Sequence, residues 1–137
     1  MQFLLDCNVL SELRKRRRCE VRVRQWFDAQ IEDDLVISVI TLGEISAGIA
    51  QIAPRDPGQA WVLEEWLAQT KVEFSGRILP VTADVAERWG RLSPGQPLPA
   101  ADGLLAATAL EHDLICVTRN VSDFERSGVR LLNPWEG

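Results

Sequence analysis

The stretch Phe3-Leu4-Leu5-Asp6-Cys7-Asn8 is an apolar run that ends abruptly in polar side chains. Similar apolar runs recur along the chain, and they indicate buried parallel strands, because helices cover both faces of such a sheet. Stretches with the helical period of apolar residues lie between these runs. This alternation predicts an α/β fold with three layers, in which a central parallel sheet of about five strands is flanked by helices.

The same pattern gives approximate bounds for each element. We expect strands at residues 2–5, 35–39, 78–81, 114–117 and 129–132. We expect helices at about 11–18, 23–31, 41–49, from the proline-rich break at 54–58 to about 74, at 82–92 and at 100–111, with a turn at 93–97. No repeat or long linker divides the chain, so we expect one domain over residues 1–137.

Composition excludes several classes of protein. With 46% apolar and 26% charged residues, the chain is typical of a globular domain and not of a disordered one. Its three cysteines match no disulfide or zinc framework, which fits a reducing compartment. No apolar run approaches the roughly 18 residues of a membrane span, and the chain begins with a strand-like run. We therefore expect a cytoplasmic protein with no membrane partner.

Basic charge is concentrated near the start of the chain. The net charge is −5, yet residues 1–24 carry seven Lys or Arg against three Asp or Glu, and the remainder carries eight against seventeen. The centre of this asymmetry is the basic cluster Arg14, Lys15, Arg16, Arg17 and Arg18. The cluster could bind a phosphate backbone or an acidic partner, or it could be a solvated surface.

Acidic side chains follow the predicted strands at the edge where ligands bind in open α/β sheets. They are Asp6, with Asn8 beside it, after the first strand; Glu44 after the second; Asp102 at the start of its helix; and Asp123, with Asn120 before it, after the fourth. Four carboxylates at one edge would repel one another unless a divalent cation lay between them. Because these donors are hard oxygens and His112 lies near the far end of its helix, we expect Mg²⁺ or Mn²⁺ and not Zn²⁺.

Such ions can activate a water, orient a phosphate and stabilise a leaving oxygen, so phosphodiester hydrolysis is the chemistry that this pattern favours. It needs no histidine base and no covalent nucleophile. We therefore expect Cys7 to be neither nucleophile nor ligand, since thiolates suit softer metals and the neighbouring acids should raise its pKa.

Each acid also has a structural explanation. Glu44 follows Thr41 in the Thr-x-x-Glu pattern of a capping box. Asp102 in a first helical turn is stabilised by the helix dipole, and Asp123 could form a turn. Asp6 brings no capping benefit that is evident from the sequence. The apolar stripe of Trp61, Val62, Trp66 and Leu67 predicts a buried helix face and not a base-stacking platform.

Five segments together resemble the PIN-domain family, and within it the VapC and FitB-like toxins of type II toxin–antitoxin systems. They are Phe3-Leu4-Leu5-Asp6-Cys7-Asn8-Val9-Leu10-Ser11-Glu12-Leu13, Ser38-Val39-Ile40-Thr41-Leu42-Gly43-Glu44, Asp102-Gly103-Leu104-Leu105-Ala106-Ala107-Thr108-Ala109, Thr118-Arg119-Asn120-Val121-Ser122-Asp123-Phe124 and Leu131-Leu132-Asn133-Pro134-Trp135. Their order and spacing, over almost the whole chain, carry the resemblance. One departure is Cys7, where the family commonly has Thr or Ser.

The resemblance implies a sheet in the order 3-2-1-4-5 and a Mg²⁺- or Mn²⁺-dependent endoribonuclease that cleaves tRNA or other structured RNA. It implies that the catalytic and metal-binding residues are Asp6, Glu44, Asp102 and Asp123, with supporting polar roles for Asn8, Thr118 and Asn120. Family members of this branch usually form homodimers, and an antitoxin that enters the acidic groove silences them. The expected partners are therefore RNA, a cognate antitoxin and a second copy.

Two alternatives to a ribonuclease remain open at this point. A receiver-like regulatory module also gathers acids at strand ends, but it needs a lysine near the last strand. The only lysines here are Lys15 and Lys71, and Thr82 follows the third strand, where the phosphoacceptor Asp should be. A PIN-like domain that only binds its ligand, or that acts on DNA, would keep the fold. Retention of all four acids argues against lost catalysis.

Overall fold

A computed structural model describes residues 2–92, 94, 95 and 97–136. Its strands are β1 (Phe3–Leu5), β2 (Leu35–Ser38), β3 (Ile78–Leu79), β4 (Ile115–Val117) and β5 (Leu131–Leu132). All neighbouring strands are parallel, and the order is β3-β2-β1-β4-β5, as predicted. This order differs from the 2-1-3-4-5 order of receiver-like sheets, so the receiver-like alternative is wrong.

Six α-helices lie between and around these strands. They are α1 (Cys7–Arg14), α2 (Val21–Asp28), α3 (Val39–Ile52), α4 (Pro57–Glu73), α5 (Ala83–Arg91) and α6 (Ala100–Glu111). The bounds of α6 match the prediction. Helix α5 begins after Thr82, as predicted, because Thr82 Oγ1 accepts a hydrogen bond from the Val85 amide at 3.2 Å and so caps the helix. Of the turn predicted at 93–97, Ser93 and Gln96 lie outside the described residues.

The central strand β1 divides the interior into two cores. Successive side chains of a strand point to opposite faces, so Leu4 packs with Leu105 and Phe124 on one face. Leu5 packs with Val9 and Ile37 on the other face. Leu4 and Leu5 are both fully buried, and the three-layer arrangement follows.

Two helices begin earlier than the sequence indicates. We expected the first helix from about residue 11, but α1 begins at Cys7, because the Asp6 carboxylate accepts a hydrogen bond from the Cys7 amide. The basic end of this helix is instead a separate 3₁₀ turn, Arg16–Arg18. We expected Thr41 to open the third helix, but Ser38 caps α3 and its Oγ accepts a hydrogen bond from the Ile40 amide at 3.0 Å.

The buried apolar stripe expected on α4 is wrong in part. Trp61 is 66% exposed and Val62 is 45% exposed, while Trp66 and Leu67 are half-buried. Trp61 and Trp66 are five residues apart, which places them roughly 140° apart around a helix, so one face cannot hold both. None of the described helices combines the length and the apolar character needed to cross a membrane.

The packing of α5 against α6 depends on Gly103. A Cβ at this position would lie 2.8 Å from Cδ1 of Trp89, so only glycine fits without a shift of the indole. Gly103 therefore allows the two helices to approach closely. The preceding residue, Asp102, lies on the first turn of α6.

Removal of the hydroxyl of Ser38 and removal of that of Thr41, both near the start of α3, should have opposite effects on the free energy of unfolding. Ser38→Ala should cost about 0.5–2 kcal/mol, because it removes the helix cap. Thr41 Oγ1 is buried and has no hydrogen-bond partner among the described residues. Thr41→Val should therefore be neutral or should raise the free energy of unfolding on the order of 1 kcal/mol. Urea denaturation of both variants measures this, and a loss of stability in Thr41→Val alone would restore Thr41 as the cap.

Candidate active site

The predicted polar residues meet where the carboxyl ends of β1 and β4 lie side by side. Asp6 follows β1 directly, and Thr118 follows β4. The Asp6 amide donates to the Val117 carbonyl at 2.9 Å, so the sheet pairing continues to the residue that carries the carboxylate. The register of the two strands therefore fixes the separation of Asp6 and Thr118.

The Asp6 carboxylate is the most highly buried acid of this group, with 6% of the residue exposed. Its Oδ1 accepts from the Cys7 amide at 2.8 Å, and its Oδ2 accepts from Thr118 Oγ1 at 2.8 Å and from Asn8 Nδ2 at 3.4 Å. A carboxylate has about four acceptor sites, so roughly one is left for a further ligand. The expectation that Asp6 caps nothing is wrong, because the first of these bonds is the N-cap of α1.

The supporting residues form a network around Thr118, which is fully buried. Thr118 Oγ1 accepts from Asn8 Nδ2 at 3.2 Å and from the Asn120 amide at 3.0 Å while it donates to Asp6. Asn8 Oδ1 in turn accepts from the Arg119 amide at 3.3 Å. Asn8 and Thr118 thus hold Asp6 through their side chains, whereas Asn120 contributes its backbone.

Glu44 reaches the same place from α3. The capping-box explanation for this residue is wrong, because α3 begins at Val39 and Ser38 is its cap. Glu44 Oε1 is buried and has no hydrogen-bond partner among the described residues. Burial raises the pKa of Glu44, and the charges of Asp6 and Asp102 raise it further. A buried acceptor without a donor, next to other acids, is the position that a cation would stabilise.

The four predicted acids form one electrostatic cluster. Burial raises the pKa of Asp102, and the charges of Asp6 and Asp123 add to the effect. Burial also raises the pKa of Asp6, although the hydrogen bonds from Thr118 and Cys7 oppose this, and the charge of Asp123 raises it again. Asp123 itself is exposed at the end of a 3₁₀ turn, Val121–Asp123.

Cys7 is closer to these acids than the sequence indicated. Among the described residues, possible ligand atoms of Asp6, Cys7 and Glu44 lie within 4.8 Å of one another, and Asp102 and Asp123 do not join this group. Burial raises the pKa of the Cys7 thiol to about 12, and the charges of Asp6 and Glu44 contribute. The thiol is therefore protonated at neutral pH, and its absence from the metal ligands stays a prediction.

The basic cluster lies at the end of α1 and in the turn that follows. Lys15 pairs with Glu12 at 3.0 Å, and the Arg14 guanidinium lies 5.7 Å from the centre of the Trp66 ring. Arg16, Arg17 and Arg18 are exposed, and no ion pair between described residues involves them. None of the cluster contacts an acid of the site among these residues, so its role stays a prediction.

Sequence reasoning missed one cation near the site. Arg119 is exposed between Thr118 and Asn120, and its guanidinium lies 5.2 Å from the centre of the Trp135 ring. Its place within the polar segment after β4 is the signal that could have identified it. His112 is exposed at the C-terminal end of α6, in a cavity with Gln2 and Gly76 at the opposite edge of the sheet, as expected.

Comparisons with known proteins converge on one family. The model of the PIN domain matches residues 3–128. The chain is 33% identical over 139 residues to the VapC ribonuclease Y4jK of Sinorhizobium fredii, which covers 98% of both chains. It is 37% identical to the toxin FitB of Neisseria gonorrhoeae over 97% of this chain and 98% of that protein. The crystal structure of FitAcB from Neisseria gonorrhoeae superposes with a TM-score of 0.86 at 36% identity, over 99% of this chain and 100% of that chain.

The clustering of acids predicts how Asp102→Asn changes stability without metal. Removal of one charge from a repelling cluster should leave the melting temperature at pH 7 in EDTA unchanged or raise it. Asp84 lies in the first turn of α5, is exposed, and makes a matched control. Asp84→Asn should lose about 0.3–1 kcal/mol of helix-dipole stabilisation.

The same substitution should change the pH dependence of stability. Because the pKa of Asp102 in the folded protein lies above its ordinary value of 3.8, the folded state binds more protons just above that pH. The free energy of unfolding contributed by this group therefore falls as pH rises through the folded pKa. Asp102→Asn should flatten this decline. Equal losses of stability in Asp102→Asn and Asp84→Asn would remove Asp102 from the cluster.

Proposed function

The chain belongs to the PIN domain family, in the branch that includes the VapC and FitB toxins, and from this membership and its acidic cluster we propose that it is a metal-dependent endoribonuclease. The observation that carries the proposal is the buried oxygen of Glu44, which has no hydrogen-bond partner among the described residues and lies beside Asp6. The name of one relative, a VapC ribonuclease, supports RNA as the substrate.

The side chains present fit a hard divalent cation. Glu44 offers an unpartnered oxygen, and Asp6 has about one acceptor site left after its three hydrogen bonds. These two acids, together with Asp102 and Asp123, would hold Mg²⁺ or Mn²⁺. When bound, such an ion supplies an activated water and neutralises charge on a phosphodiester.

The remaining groups position this machinery and do not react. Thr118 and Asn8 orient the Asp6 carboxylate, which keeps one acceptor site directed away from their hydrogen bonds. Without a cation, burial and the charges of Asp6 and Glu44 raise the pKa of the Cys7 thiol to about 12, so the thiol is a poor nucleophile at neutral pH. The substrate phosphate would meet four acids, and cations on the rim such as Arg119 would offset part of that repulsion.

Partner proteins are part of this proposal. The relative named toxin FitB supports a role as the toxin of a type II toxin–antitoxin pair. A relative from Shigella flexneri that is 26% identical is named a tRNA(fMet)-specific endonuclease VapC, which supports tRNA or another structured RNA as the target. An antitoxin that extends a basic side chain into the acidic cluster would relieve the same repulsion that a metal ion relieves. Exposed Trp61 and Val62 on α4 offer apolar surface that an antitoxin or a second copy could cover.

RNA cleavage in the presence and absence of metal tests the proposal. The protein should cleave the unpaired segments of a structured RNA such as a tRNA with Mg²⁺ or Mn²⁺ and not with EDTA. Glu44→Gln should slow cleavage roughly a hundredfold or more, because it removes a charged ligand. Glu87→Gln, an exposed acid on α5, is the matched control and should leave the rate unchanged. Cys7→Ser should remain active. Cleavage that survives EDTA, or Glu44→Gln at the wild-type rate, would contradict the proposal.

The basic cluster should contribute to RNA binding. Conversion of Arg16, Arg17 and Arg18 to Gln should weaken binding and reduce the dependence of log Kd on log salt, by about 0.7 for each phosphate of a single-stranded RNA that is no longer neutralised. A control with Arg55, Lys71 and Arg91 converted to Gln removes the same charge from exposed positions elsewhere and should keep the wild-type slope. If both triple variants show the wild-type slope, the cluster faces solvent or a protein partner.

A further inference from the structure

An apolar groove opens directly beside the acidic cluster, between α1, α3 and α4. We call it the α3–α4 groove, and its volume is about 290 Å³. Ile45, Ile49 and Trp66 form its apolar walls. Cys7 and Glu44 line the groove and also belong to the group of possible ligand atoms, so the groove and the acidic cluster are continuous.

Unused hydrogen-bond donors lie along this groove. The Arg14 guanidinium lies over the Trp66 ring and makes no hydrogen bond or ion pair to a described residue. The hydroxyl of Ser11 also has no hydrogen-bond partner among the residues that the structure describes. A guanidinium presents five N–H donors in a plane, and no described residue accepts from those of Arg14.

We propose that the α3–α4 groove binds a single unstacked nucleobase of the RNA, next to the phosphate that lies at the acidic cluster. This inference rests on the proposed ribonuclease function. Trp66, which is half-buried and not fully buried as the sequence indicated, supplies a flat aromatic surface on which a base can stack, and the isoleucines of α3 supply apolar contact around it. Arg14 supplies donors to the acceptor atoms of the base edge.

The order of chemistry along the surface favours a nucleotide chain as the occupant. The acidic cluster, which with its cation would take one phosphate, shares Cys7 and Glu44 with the lining of the groove, so the apolar walls adjoin it. Arg14 and Trp66 also line the adjoining cavity of about 590 Å³, together with Arg16 and Arg24. This cavity is also lined by Glu65 and Glu73, so its charge is mixed. A phosphate site and an apolar base site therefore adjoin one another, as charged backbone and apolar base do in RNA.

Gly48 provides a way to block the groove without removing any side chain. It lines the groove within α3, and a Cβ added there would meet nothing within 4 Å. Gly48→Leu should therefore fill open space, and replacement of a glycine inside a helix favours folding. Gly43→Leu is the matched control: Gly43 is exposed on the same helix, has equally open surroundings and does not line the groove.

The experiment compares a short unpaired RNA with versions that lack one base at each position in turn. For the wild type, removal of the base beside the cut should reduce the cleavage rate about tenfold. Gly48→Leu should cleave the intact RNA about tenfold more slowly and should show no further loss when that base is removed. Gly43→Leu should behave as the wild type does. Dissociation constants can be measured in EDTA, where no RNA should be cleaved. For each protein, the ratio of the dissociation constants for the base-deleted and the complete RNA should match the corresponding ratio of cleavage rates.

Two failures can be told apart. If no RNA is cleaved with either metal, the proposed function fails, while the dissociation constants still decide whether the groove binds a base. If Gly48→Leu and the wild type show equal ratios between intact and base-deleted RNA in EDTA, the groove proposal is overturned. If these ratios are equal and the Gly48→Leu protein also has a different oligomeric mass in solution from the wild type, the groove contacts a protein partner, namely a second copy of the chain.

Discussion

The Asp6 carboxylate is the point on which the architecture of the site depends. It is almost fully buried, and a charge in that position must find hydrogen bonds within the protein. Two of them come from groups separated along the chain, the Cys7 amide that opens α1 and the Thr118 hydroxyl that follows β4. The carboxylate therefore ties the end of the central strand to the start of one helix and to the neighbouring strand. Glu44, Asp102 and Asp123 are arranged around this fixed group.

The clustering of these acids lowers the stability of the folded protein, although it provides the groups that the proposed function needs. A helix cap and a buried hydrogen-bonded acid stabilise the fold, but the nearby acids raise the pKa values of Asp6, Glu44 and Asp102 after burial has already done so. Glu44 leaves a buried oxygen without a hydrogen-bond partner among the described residues, and a buried acceptor without a donor costs free energy of folding. The fold tolerates this repulsion because two buried cores, one on each face of β1, supply most of the packing. On the proposed function, binding of a cation recovers the lost stability.

Much of this could be read from residue types and their spacing. Apolar runs located all five strands, and the acids after them cluster as the topology of a parallel sheet requires. The starts of α1 and α3 could not be read in this way. Ser38 and Thr41 both carry hydroxyls suited to a cap, and the choice depends on where β2 stops, which its pairing with β1 and β3 decides. The proximity of Cys7 to Glu44 and the contact of the Arg14 guanidinium with the Trp66 ring depend on packing between helices, which no local pattern encodes.

Helix α3 links the acidic cluster to the α3–α4 groove. Glu44 and Gly48 are four residues apart, about one turn, so they lie on the same face of the helix. Glu44 presents a charge that the cluster requires, whereas Gly48 presents no side chain and so determines how much room remains beside that charge. On the base-binding proposal, one turn of α3 carries Glu44, which takes part in the chemistry, and the next turn carries Gly48, which affects the choice of substrate. Side-chain size at position 48 can then change which nucleotide fits next to the reacting phosphate while every acidic donor stays in place.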